Sequence, residues 1–139
     1  MLASCRFAVA VHALTVVATY ARGKPVCSSF VASSANTNPV VIRRLMLDLE
    51  KAGLVYSSAG RGGGFSLARE AVEITLADIY RAVEGEGIFR LHKLDPRSPC
   101  PVGNQIFAAL AAPLADAEGA LEETLGRTSL AAVTAKIAA

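Results

Sequence analysis

Residues 38–53, NPVVIRRLMLDLEKAG, carry a full set of local signals for one helix. Asn38 has the short polar side chain that caps a helix, Pro39 suits the first helical position, and Gly53 is a natural terminator. Between them Ile42, Leu45, Leu49 and Ala52 recur at helical spacing and make one apolar stripe. LVYSS (54–58) and GFSLA (64–68) then read as short strands on either side of a glycine-rich turn. A capped helix running directly into a glycine-tipped hairpin is compatible with few architectures, and the rest of the chain narrows them further.

Upstream, Phe7, Val11, Leu14 and Ala18 are separated by four, three and four positions, which predicts a first helix over residues 4–21. ARGKPV ends it through Gly23 and Pro25, and residues 28–35 predict a second, short helix capped by Ser28 or Ser29. The apolar N-terminal run contains Arg6 and His12 and is followed, not preceded, by basic residues, the reverse of a secretion signal. It is also too short and too interrupted to span a bilayer, so a cytoplasmic location is expected.

Downstream, Thr75 caps a helix whose apolar residues are Leu76, Ile79, Tyr80 and Val83 and which ends at Gly85. Pro96, Pro99 and Pro101 keep residues 86–101 irregular. From residue 102 to 126, Phe107, Leu110, Leu114, Ala117, Leu121 and Thr124 are spaced alternately three and four apart, the seam spacing of helices packed side by side. Pro113 falls inside this pattern and is expected to kink the helix or weaken it by about 3 kcal/mol. After Gly126 a last short helix is expected, with Thr128 as its cap.

Three helices followed by a hairpin is the order of a winged helix-turn-helix. The expected fold is therefore mostly α with a small β-hairpin: residues 1–84 form the winged unit, and residues 85–139 supply a loop, a long dimerisation helix and a C-terminal helix. Charge supports a polyanionic partner. Residues 1–69 hold eight Lys or Arg against two acids, while the remainder is net acidic. In a helix-turn-helix the second helix of the pair enters the major groove N-terminus first. On the third helix the face opposite Leu45 presents Val40, Arg43 and Leu47, with Arg44 on the flank and Asn38 at the start. Arginines there contact guanine edges or phosphates. Ser28, at the start of the second helix, is grouped with them as a candidate contact.

The turn GRGGGFSL satisfies neither a phosphate loop, which needs Lys and then Ser or Thr after its glycines, nor a dinucleotide loop opening a helix. It leads into a strand, and a tip with few side chains lies close to a DNA backbone with Arg61 in the minor groove. A plain hairpin turn is the alternative. Two histidines and scattered acids do not assemble a nucleophile–base pair, a carboxylate pair or a metal cluster, so an enzyme is not expected. The rival to a DNA-binding regulator is a protein-interaction or enzyme-regulating module that keeps the winged-helix fold without binding DNA.

The sequence resembles the Rrf2-type family of dimeric winged-helix bacterial transcription regulators. NPVVIRRLMLDLEKAGLV is similar to the family's recognition helix, GRGGGFSLA to its wing, EITLADIYRAVEG to the helix after the wing, and CPVG with the long helix to its dimerisation element. The resemblance implies a homodimer, and a two-fold dimer predicts a pseudo-palindromic double-stranded operator; a repressor-type regulator is the expected function, with activation left open. It implies DNA contacts at Asn38, Val40, Arg43, Arg44, Gly60 and Arg61. Members often carry the wing arginine where Ala59 stands here, so the position of Arg61 is shifted.

Many members also hold an iron–sulfur cluster through three cysteines in the loop before the long helix, of which only Cys100 is present. A cluster needs about four ligands, usually thiolates. One thiol and His92 do not supply them, so no native cluster and no other metal or cofactor is expected. Cys5, Cys27 and Cys100 are odd in number with no close pair, which fits a reducing compartment. They read either as small buried hydrophobes or as oxidant sensors, with His92 as a further candidate for effector binding.

Overall fold

A computed structural model describes residues 5–138. The predicted helix start at Ser4 lies outside the described residues. Helices α1 (Arg6–Tyr20), α2 (Ser28–Ala35) and α3 (Pro39–Lys51) precede strands β1 (Val55–Ser58) and β2 (Gly64–Leu67). A 3-10 turn at Ala71–Glu73 leads to α4 (Leu76–Val83), α5 (Pro101–Leu125) and α6 (Leu130–Ala138).

Local chemistry explains most boundaries. The Asn38 backbone is extended and its side chain accepts a hydrogen bond from the Val40 N–H at 2.8 Å, while Pro39 opens α3. Such a cap is worth about 1 kcal/mol. Asn36 ends α2 in the left-handed conformation, φ 53°, which asparagine tolerates better than most residues, and it makes the tight corner between α2 and α3. At α4 the Thr75 hydroxyl accepts from the Asp78 N–H while the Asp78 carboxylate accepts from the Thr75 N–H, a reciprocal capping box.

Two expected caps are corrected. Cys27, not Ser28 or Ser29, holds the capping position of α2. At α6 it is Ser129, one residue beyond Thr128, whose hydroxyl accepts from the Ala132 N–H at 3.0 Å. Thr128 is occupied otherwise: its carbonyl accepts from the Leu76 N–H, and Leu130 N–H donates to the Ile74 carbonyl, joining two distant stretches as a short bridge.

The core gathers Leu14 and Val17 of α1, Val31 of α2, Ile42, Leu45 and Leu49 of α3, Leu54, Ile74 and Ile79. Each such side chain contributes about 1.5–3 kcal/mol by leaving water. Leu130 is fully buried in the same cluster, so α6 returns across the chain to pack on α1. Helix α5 behaves differently. None of its described residues is buried, and its main neighbour within the chain is α4. It runs continuously from Pro101 to Leu125 with Pro113 inside it. Pro113 and Ala109, whose carbonyl loses its helical donor there, both face solvent, where water serves instead.

Candidate nucleic-acid interface

The outer face of α3 is formed by Val40, Val41, Arg43, Arg44 and Leu47, all exposed, because Ile42, Leu45, Met46 and Leu49 take the inner face. Arg43 is not loose. Its Nη1 donates to the hydroxyl of Ser28 at 3.3 Å, so the first residue of α2 and the middle of α3 meet at the surface. Asn38 stands exposed at the helix start with its side-chain oxygen committed to the cap.

The hairpin pairs antiparallel, Val55 with Leu67 through to Ser58 with Gly64. At its tip Gly60 and Gly62 adopt φ 83° and 78°, and Arg61 projects between them, exposed. The next two glycines serve a different purpose. A side chain at Gly63 would lie 2.2 Å from the Ser58 carbonyl oxygen, and one at Gly64 would lie 2.3 Å from the Val26 carbonyl oxygen. Gly64 admits the segment before α2 against the hairpin, where Val26 and Phe65 exchange backbone hydrogen bonds of 2.9 and 2.8 Å. β2 is thus flanked by β1 on one side and Val26 on the other.

On the free edge of β1, Glu50 of α3 accepts from both the N–H and the hydroxyl of Ser57 at 3.0 Å. A closed circuit results: Arg43 to Ser28, through Val26 to Phe65, across the hairpin to Ser57, and back to Glu50 on α3. The circuit ties the hairpin backbone to α3 and holds the Arg43 side chain, while Arg44 and Arg61 stand exposed. Ser28 and Arg43, both candidate contacts from the sequence, meet here, whereas Val41, Glu50, Ser57 and Val26 were not anticipated.

The reading of cysteines as buried hydrophobes is corrected: Cys5, Cys27 and Cys100 are all exposed, at the starts of α1, α2 and α5. The Cys27 thiol is held below its ordinary pKa, first by the Ser29 hydroxyl 3.3 Å away and then by the Phe30 N–H. His92 is exposed in the loop, its ring edge-on to Phe107 at 5.4 Å. Among the described residues no group of three or more His, Cys, Asp or Glu is placed to hold a metal ion. The three thiols stand on separate helices and only Cys100 borders the loop, a donor set that does not fit an iron–sulfur cluster.

A helix-turn-helix with arginines on its outer helix and a hairpin locked beside it defines the winged-helix class of regulators. The chain matches the Rrf2 family model, described as iron-dependent transcriptional regulator, over residues 3–136, and it belongs to that family. YwnA of Bacillus subtilis (strain 168), named provisionally as an HTH-type transcriptional regulator, is 38% identical over 126 residues covering 90% of this chain and 91% of that one. A crystal structure named provisionally as that of a DNA-binding protein is 36% identical, with a TM-score of 0.71 over 92% of this chain and 97% of that chain. IscR of T. potens is 26% identical, with a TM-score of 0.67 over 99% of this chain and 88% of that chain. Among the described residues no helix is long and apolar enough to cross a membrane.

Proposed function

We propose that the protein is a homodimeric, operator-binding transcriptional repressor that inserts the first turns of α3 into the major groove and the Gly60–Arg61 tip into the adjacent minor groove. The observation that carries this reading is the circuit that holds Arg43 and ties the hairpin bearing Arg61 to the helix bearing Arg44. Preorganised cations lose less on binding than mobile ones do. Arg43 and Arg44 serve guanine edges or phosphates, Val40 and Val41 offer apolar contact to thymine methyl groups, and Ser28 holds the Arg43 guanidinium in register. The names of YwnA and of the related crystal structure support DNA as the partner, and with it a location inside the cell. The donor set supports operation without a resident iron–sulfur cluster, the signal arriving instead through an exposed thiol or a small effector.

Duplexes selected by the protein from a random-sequence pool will yield a pseudo-palindrome with half-sites one or more turns apart, on the order of 10 bp per turn. Replacing Arg43 by Ala will then cost about 1–3 kcal/mol of affinity and relax specificity at one base pair per half-site. Failure to enrich any duplex, or affinity indifferent to salt, overturns the reading.

A further inference from the structure

Helix α5 reaches the winged unit through a polar contact whose centre is one carboxylate. Glu118 accepts a hydrogen bond from the Tyr80 hydroxyl on one oxygen and from the Ile88 N–H, at 3.4 Å, on the other. Tyr80 belongs to α4 and is only 4% exposed, with its ring 6.0 Å from that of Phe7 on α1. Burial and the neighbouring Glu118 raise the Tyr80 pKa, so the hydroxyl stays a proton donor. Ile88 belongs to the irregular stretch between α4 and α5. Gly87 turns there with φ 78°, and a side chain on it would lie 3.3 Å from the Glu118 carboxylate. One turn along α5, Glu122 faces Arg81 of α4 at 3.5 Å.

The far end of α4 is connected in turn to α3. The Arg6 Nε donates to the Val83 carbonyl at 3.3 Å, and its Nη2 pairs with Asp48 of α3 at 2.8 Å. A series of polar contacts, passing through the Ile88 N–H and the Val83 carbonyl as well as side chains, therefore runs from the loop through Glu118, α4 and Arg6 to α3. None of the described residues of α5 is buried within the chain, so the Glu118 and Glu122 contacts stand out among those that hold it against α4.

We propose that Glu118 is a positioning residue that couples the loop between α4 and α5 to the recognition helix, so that displacing the loop changes the setting of α3. This rests on the DNA-binding reading for its consequence but not for its geometry. A carboxylate suits the task because it offers two acceptor oxygens to two donors on different elements. Glutamine offers one acceptor and one donor, so it serves Tyr80 or Ile88 but not both.

The test has two arms, both on the full chain. In the DNA-free protein, amide hydrogen exchange is compared between the wild type, Glu118→Gln and Tyr80→Phe. The expected result is faster exchange at Ile88 and along α3 around Asp48, with α2 unchanged. Changes confined to the loop and α5 overturn the relay. In the second arm, affinity for a selected duplex is measured for Gly87→Ala, Glu118→Ala and the double variant. The coupling predicts that the effect of Gly87→Ala shrinks at least about threefold once Glu118 is gone, since contacting residues in one network are non-additive. Strictly additive effects overturn it. If Gly87→Ala does not fold, the Tyr80→Phe and Glu118→Gln pair forms the cycle instead. If the wild type selects no duplex, the DNA-binding reading fails while the exchange arm still decides the coupling.

Discussion

Ser29 stands two residues beyond Cys27, and its hydroxyl is the largest of the influences that favour the thiolate. Thiolates, not thiols, attack electrophiles. Ser29→Ala will therefore slow alkylation of Cys27 by iodoacetamide near neutral pH, severalfold, as followed by peptide mass spectrometry; an unchanged rate removes Ser29 as the cause. Asp78 shows the opposite balance of forces. Burial works against its charge, yet the Thr75 N–H and hydroxyl, Arg69 and Arg81 together hold its carboxyl below the usual range. A folded-state pKa below the unfolded one gives stability that is complete above the unfolded value, about 4, and is lost as pH falls through the folded value. Melting of the wild type and of Asp78→Asn will thus differ at neutral pH and converge in acid, and a constant gap across pH would discount the ionised form. The exposure of all three cysteines was hidden in the sequence because each stands at a helix start, outside the apolar stripes that composition alone cannot separate from caps.

The elements differ in how openly their residues announce them. α3 and α4 were legible because cap, stripe and stop lie within a few residues of one another and act locally. The hairpin was legible from its glycines, but their roles were not. Gly60 and Gly62 shape the tip, whereas Gly63 and Gly64 make room for other backbone, and nothing in a run of glycines tells these apart without the partner segment. Gly64→Ala will destabilise the fold by about 1–3 kcal/mol, the usual cost of overpacking, because its methyl would strike the Val26 carbonyl. A denaturant titration with an unchanged midpoint would show that the hairpin yields freely. The Glu50–Ser57 clasp joins exposed polar residues on two elements, and no periodicity marks such a pair. Pro113 lies inside α5 on a solvent-facing position, so the helix continues through it with water free to serve the Ala109 carbonyl.

For the whole molecule, α5 carries an apolar row that the chain by itself leaves incompletely buried. Ile106, Phe107, Leu110, Leu114 and Leu121 are only half-buried, and Val102 is largely exposed. Leu114→Glu will leave the helical content and the core around Leu14 and Leu45 intact and shift sedimentation from dimer to monomer. DNA affinity will fall about 100-fold or more, since two linked half-site contacts become separate events. A dimer that survives the change places the pairing surface elsewhere.

The return of α6 to α1 also bears on synthesis. The cluster that steadies α1 and α3 includes Leu130, which emerges from the ribosome after the whole of α5. At about 5–20 residues per second, α5 itself takes on the order of a few seconds to make. During that interval the nascent winged unit lacks one wall of its core. The core beneath the proposed DNA-reading surface is completed only after the helix proposed to pair has been built, so a half-made chain is poorly equipped to occupy an operator alone.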